Sequence, residues 1–178
     1  AETTGTWAGP SVLTGGNLGS YAPATMTPGS YIYTVSGITP CANATSTITV
    51  SEEIAPDAGI NGVATYCSNG SAVDLFSELG GTPQTTGTWA GLSVLTGGNL
   101  GTFDPSTMTA GTYTYTVSGI SLCSAAISTV VVSINSEADA GSDNVLNICS
   151  VGTPVDLFTL LGGTAETTGT WAGPSVLT

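Results

Sequence analysis

Lysine, arginine and histidine are all absent from these 178 residues, which carry 12 acidic side chains and a net charge of −12. Each absence removes a class of function. Without basic side chains nothing neutralises phosphates, so nucleic-acid binding is not expected, and neither is attachment to anionic lipid surfaces. Without histidine no Ser–His or Cys–His dyad can form, and without lysine no Schiff base or isopeptide crosslink. Glu52 and Glu53 are adjacent, and neighbours on a strand point to opposite faces, so they make no catalytic carboxylate pair. The expectation is no enzyme, no catalytic residue and no cofactor. No apolar run reaches the length of a membrane span, so membrane insertion is not expected, and no secretory leader is visible.

What is present is apolar and repetitive. Hydrophobic residues make up 40% of the chain and charged ones 7%, enough apolar surface for burial to offset chain entropy. The stretch Thr-Thr-Gly-Thr-Trp-Ala-Gly begins at Thr3, Thr85 and Thr167, a period of 82. At that offset Cys41 falls on Cys123, Cys67 on Cys149, and Val73-Asp74-Leu75-Phe76 on Val155-Asp156-Leu157-Phe158. Residues 1–14 recur letter for letter at 165–178, whereas the copy at 83–96 differs at three positions. The full period is therefore 164, built from two alternating module types, and the chain reads as a window on a longer tandem array.

Within each period the pattern is that of strands. Tyr31 to Ser36 and Tyr113 to Ser118 alternate strictly, placing Tyr113, Tyr115 and Val117 on one face and Thr114, Thr116 and Ser118 on the other. Ala44 to Val50 alternates likewise. Its counterpart Ile127 to Ile134 is more continuously apolar, which predicts burial on both faces. Gly-rich turns separate these runs, and only Asp74 to Leu79 hints at a helical turn. The fold class expected is all-β, a β-sandwich of short strands. The copies diverge most at 51–62 and 133–144, which places a complete module at 55–136. The C-terminal part of one module then lies at 1–54 and the N-terminal part of the next at 137–178. Expressed alone, such a chain should have a stable centre and frayed or self-associating ends, because each end lacks the strands that complete it.

Four cysteines without C-x(2–4)-C spacing fit disulfides in an oxidising compartment better than zinc. Cys67 and Cys123 bracket one module, so a bond between them is expected. The alternative pairs Cys41 with Cys67 and Cys123 with Cys149 across module junctions.

The order Cys67, Val73-Asp74-Leu75-Phe76, Leu79-Gly80-Gly81-Thr82-Pro83, Gly87-Thr88-Trp89, Gly111 to Gly119 and Cys123 resembles a known repeat type. It is similar to the Ig-like or PKD-like repeats of giant Bacteroidota surface proteins, which include gliding-motility adhesins and other cargo of the type IX secretion system. The resemblance covers the whole 82-residue unit. It implies tandem Ig-like sandwiches in an extended head-to-tail array, forming the stalk or filament of a secreted, extracellular cell-surface adhesin. The partners implied are neighbouring modules of the same chain, with lateral self-assembly as a further possibility.

Trp7, Trp89 and Trp171 could be sugar-stacking platforms, the basis of an alternative reading as a repetitive glycan-binding array. A Trp among small residues in a sandwich strand belongs more often to the core, and core positions are expected for all three and for Tyr113 and Tyr115. Acidic residues gather at the junctions: Glu52, Glu53 and Asp57, then Glu137, Asp139 and Asp143. They match no calcium loop, so solvated linker charge is expected there and no metal site. Asp74 and Asp156 are expected to cap turns through backbone N–H groups.

Overall fold

The computed structural model describes residues 5–174. The chain divides into two compact units, Ala1–Pro56 with Ser118–Ala126, and Asp57–Val117 with Ile127–Thr178. It is β-rich, and helical structure among the described residues is confined to 3-10 turns of three or four residues.

In the first unit, β1 (Thr6–Ala8), β2 (Gly29–Val35) and β3 (Ala44–Val50) form an antiparallel sheet in that order. The alternation of Tyr and Ile with small polar residues sets the register, which puts Trp7 opposite Tyr33 and Tyr31 opposite Ile48. Tyr31 is buried, and β3 is an edge strand.

The second unit carries β4 (Gly62–Cys67), β5 (Val73–Asp74), β6 (Thr88–Ala90), β7 (Thr102–Phe103), β8 (Gly111–Val117) and β9 (Ala126–Asn135). Four of these form a sheet in the order β4-β9-β8-β6, while β5 and β7 pair separately. The β4–β9 pairing is parallel, with Gly62 opposite Val130 and Cys67 opposite Asn135. The repeat therefore begins at one end of its sheet and leaves from the other.

The core lies on one face of this sheet. Tyr113, Tyr115 and Val117 of β8, Val130 and Val132 of β9 and Ala64 of β4 are buried there, together with Leu75, Leu79 and Phe103. Removing a side chain of this size from water contributes about 1.5–3 kcal/mol. Phe103 meets Tyr113 edge-on with centroids 5.4 Å apart, and Phe76 meets Tyr115 in the same way at 5.4 Å. The layer carrying Leu75 and Phe103 is made of two-residue strands and 3-10 turns, so it is thinner than the sheet it covers. Ser128, the buried polar residue of β9, donates its hydroxyl to the Gly59 carbonyl at 2.6 Å, so its burial leaves no orphaned donor.

The continuously apolar run of β9 is not buried on both faces. Ile127 and Val131 are exposed, while Ser128, Val130 and Val132 point inward. The reason is architectural, since no described element covers the outer face of the sheet. Among residues 137–174 no strand forms. A 3-10 turn at Leu157–Leu160 and an isolated bridge between Ser142 and Gly162 repeat the turn at Leu75–Glu78 and the bridge between Ile60 and Gly80.

Candidate functional site

The Trp motif is built by close contacts in its first two copies. Thr88–Ala90 is a short strand because β8 offers it a partner, and Trp89 stands opposite Tyr115. The two rings lie 5.0 Å apart, and the Trp89 indole N–H donates to the Asn99 carbonyl at 2.9 Å. Gly101, at φ +64°, presses against that indole, and a Cβ there would collide with it. The flanking glycines have a related task. A Cβ at Gly87 would strike the ring of Tyr115, and one at Gly91 the ring of Tyr113. The first copy repeats the arrangement, with Trp7 5.0 Å from Tyr33 and its N–H on the Asn17 carbonyl at 3.1 Å.

Tyr113 and Tyr115 are fully buried, and their hydroxyls find backbone partners. Tyr113 donates to the Thr109 carbonyl and Tyr115 to that of Gln84, both at 2.7 Å, while the Gly87 N–H donates to the Tyr115 hydroxyl at 2.9 Å. Trp7 and Trp89 are half-buried, with their one polar atom already bonded. Trp171 departs from the expected core position. It is 48% exposed, because no described strand supplies the tyrosine on which the other two tryptophans lie.

Two of the junction acids, Asp57 and Asp139, act as local clamps. Asp57 accepts the Gly59 N–H at 2.7 Å, and its carbonyl accepts the Gln84 N–H at 2.9 Å. Asp139 repeats this with Gly141 at 2.7 Å and Glu166 at 2.8 Å, and its carboxylate also accepts the Thr164 hydroxyl at 2.6 Å. The Thr164 hydroxyl, then the Gly141 N–H, hold the Asp139 carboxyl below the usual carboxylate range. Among the described residues no group of three acidic or thiol side chains could hold a metal ion.

Asp156 accepts the Phe158 N–H at 3.0 Å, as a capping residue does. Asp74 does not cap in this way, and its carboxylate accepts the Thr102 hydroxyl at 2.7 Å. The difference follows from β7, which sets Thr102 opposite Asp74 and has no counterpart among residues 137–174.

The expected Cys67–Cys123 disulfide is not formed. All four cysteines are free. Cys67 closes β4 opposite Asn135, the last residue of β9, whereas Cys123 precedes the first residue of β9.

Two features escaped sequence reasoning. Tyr66 donates its hydroxyl to Glu78 at 3.2 Å in the middle repeat; burial and that carboxylate together push the phenol up to about 12. The counterparts at the 82-residue offset are Ile148 and Leu160. The joint change from a polar pair to an apolar one was the signal that they touch. The second feature is an apolar groove in the first unit, lined by Trp7, Leu13, Tyr21, Tyr31, Ile48 and Val50.

No protein family, curated protein or solved structure matches this chain.

Proposed function

We propose that this chain is a segment of a structural stalk, built from tandem Ig-like modules and belonging to a secreted bacterial cell-surface adhesin of the gliding-motility type. The observation that carries the reading is the parallel β4–β9 pairing, which puts the start and the finish of the middle repeat at opposite ends of its sheet. A module of that kind can be strung head to tail, and its partners are the modules before and after it. The same Trp–Tyr joint built at Trp7 and at Trp89 supports a repeating unit rather than a single specialised site. The absence of basic side chains adds a uniform negative charge, which keeps successive modules from collapsing on one another. On this reading the activity is mechanical, holding a functional tip away from an extracellular cell surface.

Electron microscopy of concatenated copies of residues 55–136 tests it. Rods whose length rises in proportion to the number of copies are expected. Compact particles that grow in three dimensions would overturn the stalk reading.

A further inference from the structure

We propose that the outer face of the four-stranded sheet in the middle repeat is a lateral contact surface, and that it takes the same face of a second copy of this chain. The face is the side of β4, β9, β8 and β6 turned away from the core. It runs alongside the strands, whereas modules strung head to tail attach at the start of β4 and the end of β9.

Strand alternation sets what the face presents. Val63 of β4 stands opposite Val131 of β9, and the two are 75% and 42% exposed, with Ile127 of β9 at 63%. Hydroxyls border these side chains: Thr65 follows Val63 on the same side of β4, Thr129 lies between Ile127 and Val131, and Thr114 stands on the neighbouring β8. An apolar centre with an uncharged polar border is the make-up of a protein–protein contact. Two such faces can interdigitate as sheets do when they pack about 10 Å apart.

Charge selects the occupant. The chain carries −12 and no basic side chain, so two copies repel unless their carboxylates are held apart. Residues 57–136 hold four acids, Asp57, Asp74, Glu78 and Asp104, and none of them lies on β4, β6, β8 or β9. Asp74 belongs to β5, Glu78 to the 3-10 turn Leu75–Glu78, and Asp104 directly follows β7, all in the layer on the far side of the core, while Asp57 precedes β4. Copies that meet sheet to sheet therefore turn these three carboxylates to the two outsides of the pair, with both sheets and both cores between them. A cationic partner finds no carboxylate on this face to pair with. A sugar finds no aromatic ring to stack on, because Trp89, Tyr113, Tyr115 and Tyr66 alternate with the outward threonines and point the other way.

Four strands about 4.8 Å apart and about six residues long present roughly 300–400 Å² per copy. A standard stable interface needs about 800 Å² per partner, so one contact is weak. On the stalk reading the face recurs along the array, and contacts made side by side reinforce one another.

Amide chemical shifts of the full 178-residue chain, followed from dilute solution to about 1 mM, test the contact, because they register even millimolar association. Concentration-dependent shifts are expected at Val63, Thr65, Thr114, Thr129 and Val131. They should grow with added salt, which screens the remaining repulsion. Val131→Glu sets a carboxylate in the centre of the face and should abolish them. Val94→Glu adds the same charge at an exposed position outside every strand and should leave them in place. Unmoved ring signals of the buried Tyr113 and Tyr115 report that each variant keeps its fold. Shifts confined to other surfaces, or shifts that survive Val131→Glu, overturn the proposal. So does a face that stays silent up to about 1 mM; if its amides then move when a cello-oligosaccharide is added, the occupant is a sugar. The stalk reading is decided separately, by the rods of concatenated repeats.

Discussion

Cys67 and Cys123 stand at opposite ends of one strand, Cys67 beside the last residue of β9 and Cys123 before its first. Both thiols are expected to react with an alkylating reagent under native conditions, Cys67 faster because it is exposed while Cys123 is half-buried near the Glu53 carbonyl. Non-reducing peptide mapping should recover no fragment joining the two. Recovery of that fragment would mean that β4 pairs with a different strand.

Leu75 and its counterpart Leu157 should differ sharply in what they contribute. Leu75→Ala empties a fully buried position and is expected to destabilise the middle repeat by about 2–5 kcal/mol. Leu157→Ala removes a side chain that is already 39% exposed and is expected to cost clearly less. Urea melts followed by Trp fluorescence would compare them. Equal losses would show that residues 137–174 own a packed core.

The phenol of Tyr66 gives the fold an alkaline limit. Its folded value is raised to about 12, by burial first and then by the Glu78 carboxylate, against about 10 in an unfolded chain. Above pH 10 the unfolded state releases the proton first, so the contribution of this group is intact below that pH and fades as pH rises towards 12. Tyr66→Phe should flatten the fall in melting temperature over that interval. An identical alkaline profile in the variant would place the limit elsewhere.

Periodicity reached the strands because it is a local property. Tyr113 and Tyr115 share a face in any extended conformation. The partners of β4 were not legible in the same way. Gly62 to Cys67 carries no mark that it lies along β9, in parallel, rather than beside another strand. Val131 shows a second limit: its side chain is as apolar as that of Val130, and only the missing outer layer leaves it exposed. Asp74 shows a third. A carboxylate two residues before a turn amide can cap it, but a hydroxyl delivered by a distant strand intercepts it.

The parallel pairing of β4 with β9 has a consequence under load. A pull along the chain reaches the repeat at the start of β4 and leaves it at the end of β9, and so draws these two neighbours past each other along their own axes. The rungs from Gly62–Val130 to Cys67–Asn135 are then strained together in shear, rather than opened one after another from an end as a zipper is.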